Sequence, residues 1–434
     1  MIIRRPRALL AFGLAVGALL ILGVGVIRYD GFAGLYLRVR AEFSGTGGEA
    51  LVPLPLATAV DPASPDPALA AAVSPTPSPS ATAPRFTPTP AATAGPTRTP
   101  RPSDTPSPTP APLYAPTKAS VELTGLRHEW QTWNNCGPDT LAMNLSYYGL
   151  ALTQADVAAV VHPDMDDKHT GIAQLAAFAR GQGFEALMRV NGNADILRLL
   201  LSNGLPVMMP TWHVDAKGTG MGHYRLLTGY DDALSEWILY DSLESRGISK
   251  DQPYPGIRLP YAQFDEWWQV MNRSYLVVYP PEQAPLVAAI LGAQMDDAVM
   301  WSTSLDAARR QVAVRPDDAF AWFTLGTNLV GNGLPEDAAA AYDQARRIGL
   351  PFRMMWYQFG AFQAYYESGH FEEVVALADA TLATTEMIEE VHYWRGRALA
   401  TLGDVEGARR ALKTALAQRA DFPEAAAALE ALDN

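Results

Sequence analysis

The stretch QTWNNCGPDT, residues 131–140, holds the only cysteine of a 434-residue chain. Read onward, CGPDTLAMNLSYYG (136–149) predicts a helix. Pro138 suits a first turn, where its missing N–H costs nothing. Asp139 complements the positive end of the helix dipole. Leu141, Leu145 and Tyr148 fall on one face, and Gly149 ends the run. Cys136 therefore opens a helix, where free backbone N–H groups and the dipole favour thiolate. A buried structural cysteine lies more often within an apolar face. Position alone leaves both readings open, apolar filler and nucleophile.

A thiolate nucleophile needs a base. Of the seven histidines, His223 has the most informative setting, GMGHYRLLTGYDDALSEWILYDSLES (220–245). HYRLLTGY reads as a strand, DDALSE as a turn and WILYD as a second strand. Folded as a hairpin, these bring His223 and Asp241 to one edge of a sheet, where a carboxylate can orient the ring and fix its tautomer. His213 also has an acid nearby, Asp215. It falls in a loop before the glycine-rich run AKGTGMG, without a partner strand, and reads as groove-lining or exposed.

Gln131, then Cys136-Gly137-Pro138 on a helix ending Tyr147-Tyr148-Gly149, then Gly222-His223-Tyr224, then Tyr240-Asp241, form an ordered set. It resembles the papain-like cysteine peptidases of the bacteriocin-processing, double-glycine type, in their broader "peptidase-like family two" branch. The resemblance covers roughly residues 120–280. It implies that Cys136 is the nucleophile, His223 the general base and then acid, Asp241 the residue that orients His223, and Gln131 an oxyanion donor beside the Cys136 N–H. Two positions depart from the family's pattern. One residue fewer separates Gln131 from Cys136 than is usual there, and Ser242 stands where proline commonly follows the Asp. Trp133 and Trp212 flank the set in sequence and are candidate substrate subsites, with ordinary packing as the alternative.

The rest of this region alternates helix and strand. HTGIAQLAAFARGQGFEA and ADILRLLLSNGLPVMMPTW each read as a helix followed by a strand, which predicts an α+β domain with helices on one side of an antiparallel sheet. HPDMDDKH (162–169) has the composition of a metal cluster but not the spacing of a Ca²⁺ loop, and reads as a solvated loop. No metal and no cofactor are expected.

From residue 286 the pattern becomes periodic. Gly292, Gly326, Gly360 and Gly396 recur at near-equal spacing, and WFTLGTNL (322–329), WYQFGAFQ (356–363) and HYWRGRAL (392–399) occupy equivalent places. Each precedes a second glycine and an alanine-rich helix. The pattern resembles tetratricopeptide repeats, about four units with a degenerate first, an all-α solenoid of the kind that holds peptides or partner proteins.

At the other end, residues 8–27 form an uncharged apolar run long enough to span a bilayer at about 1.5 Å per residue. Arg4, Arg5 and Arg7 precede it and orient the remainder outward, with a cleaved signal peptide as the alternative reading. Residues 52–118 are rich in Pro, Thr, Ser and Ala, a composition that cannot bury enough surface to order itself. A net charge of −13, with basic residues clustered only near the N-terminus, argues against nucleic acid as a partner. The sequence thus divides into a transmembrane signal anchor (1–28), an extracytoplasmic disordered linker (29–118), a papain-like cysteine peptidase domain (119–282) and a tetratricopeptide domain (286–434). The expected function is cleavage of a peptide or related amide bond by a membrane-anchored, single-pass protein whose C-terminal domains lie outside the cell membrane. The repeats are expected to recruit a protein partner. The alternative is a non-catalytic peptide-binding scaffold.

Overall fold

The structure, a computed structural model, describes residues 51–56, 113–214, 220–249 and 253–433. The apolar run 8–27 and most of the linker lie outside these residues. Among the described residues, no helix is long and apolar enough to cross a membrane.

A seven-stranded antiparallel sheet organises the first domain. Its strands are β1 (Ser120–Glu122), β2 (Glu185–Arg189), β3 (Val207–Val214), β4 (Gly220–Asp231), β5 (Glu236–Tyr240), β6 (Ile257–Pro260) and β7 (Tyr275–Tyr279). They run in the order β2-β7-β3-β4-β5-β6, with β1 added alongside β4. Helices α1 (Cys136–Tyr147), α2 (Gln154–Val161) and α3 (Ile172–Gly181) share a core with Met208, Leu226, Leu276 and Val278. Helices α4 (Ala194–Ser202), α5 (Tyr261–Gln269) and α6 (Ala284–Leu291) share another with Val207, Met209, Leu227 and Val277. Helices therefore cover both faces, not the single face expected. Alternate residues of a strand point to opposite faces. In β7 both rows are apolar, and β3 and β4 bury apolar residues on both faces, Met208 and Leu226 on one and Val207, Met209 and Leu227 on the other, so each face requires a cover.

The start of α1 is drawn tightly against β4. A Cβ on Gly137 would lie 3.3 Å from the Tyr224 ring and from Thr170, so a side chain there would require these neighbours to give by a few tenths of an ångström. Thr140 Oγ1 donates to Tyr224 O at 3.3 Å and Tyr224 Oη to Thr170 O at 3.0 Å, fixing the same approach.

The second half is helical. α7 (Asp297–Val314) leads into three hairpins: α8 (Ala319–Gly331) with α9 (Pro335–Ile348), α10 (Gly360–Glu367) with α11 (Phe371–Leu382), and α12 (Glu389–Thr401) with α13 (Val405–Gln418). A single helix, α14 (Pro423–Ala431), follows. Gly326 and Gly396 are mid-helix because a side chain would strike the partner helix: Tyr342 lies 2.8 Å and Leu412 2.7 Å from where their Cβ atoms would stand. The middle hairpin departs from the repeat. WYQFGAFQ does not begin a full helix as WFTLGTNL does. Pro351 holds an extended backbone, residues Phe352–Trp356 form a 3₁₀ turn, and α10 starts only at Gly360.

Sheet domain and solenoid share a core. Trp212, Val270 and Met271 pack among solenoid residues that include Trp322, Met354 and Met355. Asn272 and Asn328 exchange buried hydrogen bonds at 3.1 and 2.9 Å. Two parts of the expected disordered linker are also packed. Residues 51–56 lie on the solenoid, where Val52 is buried, and Ala115 and Lys118 donate to Asn203 and Ser202 at the end of α4. Apolar and backbone contacts offset the ordering entropy in these short pieces, which the composition of the whole segment conceals.

Candidate active site

Cys136, His223 and Asp241 come together where α1 meets the β4–β5 hairpin. Leu226 pairs with Tyr240, which sets Asp241, just beyond β5, opposite Arg225 and diagonal to His223. His223 Nε2 lies 2.9 Å from Asp241 Oδ1, and both side chains are buried. His223 Nδ1 has no other partner and is left to the Cys136 thiol. Burial alone pushes this thiol up. The His223 hydrogen bond and charge, with backbone hydrogen bonds from Tyr224 and Gly137, outweigh burial and bring it below its ordinary value. Burial opposes charge on His223 too, yet the Asp241 carboxylate raises it to about 9. Both shifts run in the direction that favours a thiolate beside an imidazolium.

Asp241 is saturated with donors. Its Oδ1 also accepts the N–H groups of Leu243 and Glu244, each at 2.8 Å, and its Oδ2 accepts Arg225 Nε at 2.7 Å. Burial opposes its ionisation, but His223 and Arg225 hold it well below the usual carboxylate range. Arg225 is itself fully buried. It donates to Thr211 Oγ1, lies 3.0 Å from His213 Nδ1 and stacks 4.7 Å over the Trp267 ring. His213 is therefore not in an unpartnered loop: it is in β3, paired with Met221 of β4, and it closes the Arg225 end of the network.

Gln131 is fixed beside the same carboxylate. Its N–H donates to Ser242 O at 3.0 Å, and Ser242 Oγ donates to its side-chain carbonyl at 2.7 Å. That bond leaves the amide nitrogen as the free end. The loop between Gln131 and Cys136 is tied down by Asn135, which contacts Thr132 at 2.7 Å, Gln154 at 3.2 Å and His162 Nε2 at 2.7 Å.

Cys136 and His223 open into a cavity of about 1150 Å³ between the two halves of the molecule. Its walls include His162, Asp167 and His169 from the sheet domain and Tyr357, Glu389, Glu390 and Arg419 from the solenoid. Tyr357 covers Gly222, the residue before His223: a Cβ on Gly222 would lie 2.9 Å from the tyrosine ring. The Tyr357 phenol is held above its usual range by burial first, with the Cys136 charge adding to it. Burial pushes Asp167 up to about 8 and Glu390 up to about 7, and it pushes His169 down to about 4. The far wall thus carries less charge near neutral pH than its composition indicates.

HPDMDDKH is solvated only in part: Pro163, Asp164 and Met165 are exposed. His162 and Asp167 are buried and line the cavity. Trp212 is not a subsite: it is buried between Phe320 and Tyr357 at the domain junction, with ring centroids 5.7 and 6.4 Å away. Trp133 lies outside the cavity lining, with the Lys168 ammonium 5.6 Å over its ring. Asp139 does not serve the helix dipole as an anion. Both of its oxygens are buried without a partner, and burial, with Glu129 adding, raises it to about 9. Among the described residues, no cluster of His, Cys, Asp or Glu is arranged to hold a metal ion.

Residues 124–276 match the Peptidase_C39 like family. This part of the chain is C39-peptidase-like. No curated protein matches the chain. Among solved structures it is similar to a C39-like peptidase from Bacillus anthracis, at 15% identity over 37% of this chain and 98% of that one, with a TM-score of 0.29. It is also similar to the peptidase domain of Streptococcus ComA, a bifunctional ABC transporter of a quorum-sensing pathway, at 14% identity over 36% and 99%, TM-score 0.28. The tetratricopeptide protein YrrB, described as having an unusual peptide-binding site, is similar at 14% identity over 30% and 67%, TM-score 0.27.

Two residues at the centre of the C39-like domain's site escape the sequence reading. Arg225 is one strand period beyond His223 and shares its face; a charged residue inside an otherwise apolar strand was the available signal. Tyr357 lies in the solenoid, more than a hundred residues away, and local sequence carries no signal that it reaches the cavity.

Proposed function

We propose that this protein is a thiol peptidase, and that its C39-like domain cleaves a peptide or related amide bond held in the cavity between sheet and solenoid. The observation that carries the reading is the His223–Asp241 contact at 2.9 Å, which leaves Nδ1 of the same ring to Cys136. In this mechanism the Cys136 thiolate attacks the carbonyl carbon. The oxygen becomes an oxyanion, received by the Cys136 N–H, which opens α1 without an intrahelical partner, and by the Gln131 amide nitrogen. His223 gives its Nδ1 proton to the leaving nitrogen, the C–N bond breaks, and a thioester remains. Water, deprotonated by His223, then attacks the thioester; the carboxylic product leaves and the thiol is restored. Asp241 keeps the ring in its tautomer throughout.

The cavity exceeds the usual span of small-molecule pockets, about 300–1000 Å³, and its open cleft suits an extended chain segment. We assign the outward-facing, membrane-anchored position to residues 8–27 and the arginines before them, and partner recruitment to the repeats.

The test is alkylation of Cys136 in the full-length chain by iodoacetamide across pH, beside His223→Ala. A thiol titrating well below about 8.5, and rising in the variant, supports the pair. Cleavage of a random peptide library, lost in Cys136→Ala, then establishes turnover. A thiol indifferent to His223 would overturn the reading. A competent pair with an uncut library would favour a peptide-binding module without turnover.

A further inference from the structure

Residues 51–56, Leu-Val-Pro-Leu-Pro-Leu, lie as an extended strip on the solenoid, nearly three hundred residues away in sequence. Leu51 forms an antiparallel bridge with Pro351, and the Val52 N–H donates to Leu350 O at 2.8 Å. Arg346 of α9 donates from Nε to Pro53 O at 2.7 Å, and Glu373 of α11 accepts the Leu56 N–H at 2.7 Å. Arg346 and Glu373 are themselves a buried ion pair. Two neighbouring hairpins thus present one buried cation and one buried carboxylate to a main-chain carbonyl and a main-chain N–H of the strip. Val52, only 3% exposed, supplies the apolar anchor. Phe352, Met355, Ala380 and Thr384 line the groove beside it. Main-chain pairing combined with a side-chain pocket is how an added strand is recognised. The two prolines fix φ in advance and reduce the entropy lost on docking.

The stretch that receives the strip also reaches the cleft. Leu350 and Pro351 pair with it, Phe352 and Met355 flank it, and the next residue but one after Met355 is Tyr357, packed over Gly222. Arg353, within the same turn, donates to Gly220 O at 3.3 Å. Residues 350–357 therefore form a bracket between groove and cavity. It exists because Pro351 and the 3₁₀ turn interrupt the repeat.

We propose that the groove between α9 and α11 is a binding site for an extended, proline-containing apolar peptide. In the resting chain its own residues 51–56 fill it, and this latch braces the bracket that holds Tyr357 in the cleft. Any effect on catalysis rests on the peptidase reading; the docking itself does not. A tethered segment meets its site at an effective concentration of about millimolar order, so a free peptide must reach that range to replace it.

Hydrogen–deuterium exchange of the full-length chain tests the proposal, comparing wild type with Val52→Asp. In the wild type the Val52 and Leu56 amides are expected to exchange at least tenfold slower than in the synthetic peptide EALVPLPLA (residues 49–57). Val52→Asp is expected to bring Leu56 to the free-peptide rate and to raise exchange several-fold across 353–359, with β3 and β4 unchanged. Millimolar EALVPLPLA added to the variant is expected to restore protection at 353–359. Wild-type strip amides exchanging at the peptide rate would overturn the proposal, as would a bracket indifferent to Val52→Asp. The Cys136 titration stays separate: a normally titrating thiol would overturn the peptidase reading and leave the exchange result standing.

Discussion

Arg225 donates from Nε to Asp241 Oδ2 at 2.7 Å, and neither side chain reaches solvent. The contact explains how a buried carboxylate stays ionised while its other oxygen serves His223. A lone buried charge is costly, and removing one partner of a buried pair typically costs about 3–5 kcal/mol. Arg225→Met is therefore expected to lower stability on that order and to weaken the orientation of His223. Arg225→Lys keeps the charge but loses the planar fork that also reaches Thr211 and His213, so partial stability with slower alkylation of Cys136 is expected. Thermal melts beside alkylation rates separate the two effects. An Arg225→Lys protein with wild-type alkylation would remove Arg225 from the site.

The paired shifts give a pH window. His223 is raised to about 9, so its contribution to stability is complete below its unfolded value of about 6.5 and is lost as pH rises through 9. Asp241 is depressed, so its contribution is present above about 3.9 and lost only as pH falls through its lower folded value. Turnover is expected to rise with thiolate formation and to fall near pH 9, where the imidazolium loses the proton owed to the leaving nitrogen. A pH–rate profile flat through pH 10 would show that His223 does not act as the acid.

Asp139 has the opposite character to Asp241. Buried without a partner and raised to about 9, it binds a proton in the folded state that the unfolded chain releases near 3.9. The fold therefore loses stability from this group as pH rises from about 4 to 9. Asp139→Asn is nearly isosteric and cannot ionise. Little change is expected at acidic pH, with a gain in melting temperature that grows towards pH 9. An equal difference at all pH values would mean that Asp139 does not titrate in this way.

Much of this was legible in order, and the rest was not for physical reasons. Cys136 at a helix start, His223 on a strand and Asp241 past the next strand are local features, and a hairpin relates the last two by register alone. Arg225 needed the assumption that a buried strand can carry a cation, which is justified only once its partners are known. Tyr357 and residues 51–56 depend on contacts across very long sequence separations. The tetratricopeptide pattern even pointed away from Tyr357, by making WYQFG equivalent to a helical stretch. Trp212 was misassigned because adjacency in sequence to a site residue does not say which face of β3 it occupies.

Ser242, a departure from the family's pattern, acquires a role. Its hydroxyl donates to the Gln131 side-chain carbonyl at 2.7 Å, which turns the amide nitrogen outward. Ser242→Ala is expected to leave the thiol titration unchanged and to slow turnover several-fold, less than Gln131→Ala, for which losing one oxyanion donor typically costs about 10²–10³ in kcat. If Ser242→Ala leaves turnover intact while Gln131→Ala abolishes it, Gln131 is oriented by other contacts.

Gly222 allows the solenoid to close on the cavity that Cys136 lines. Glycine inside a strand commonly marks a close approach by another group, and here a Cβ would stand 2.9 Å from the Tyr357 ring. Gly222→Ala is expected to push that ring away from the cleft while leaving the His223–Asp241 contact in place, because its side chain leaves the opposite face of β4. Cys136 should then keep its titration but react several-fold faster with bulky N-phenylmaleimide relative to iodoacetamide. Tyr357→Ala should raise the same ratio and Tyr357→Trp should lower it, a pair of opposite signs that a general loss of packing cannot produce. Equal ratios in all three variants would mean that Tyr357 belongs to the domain junction alone and leaves access to Cys136 unaltered.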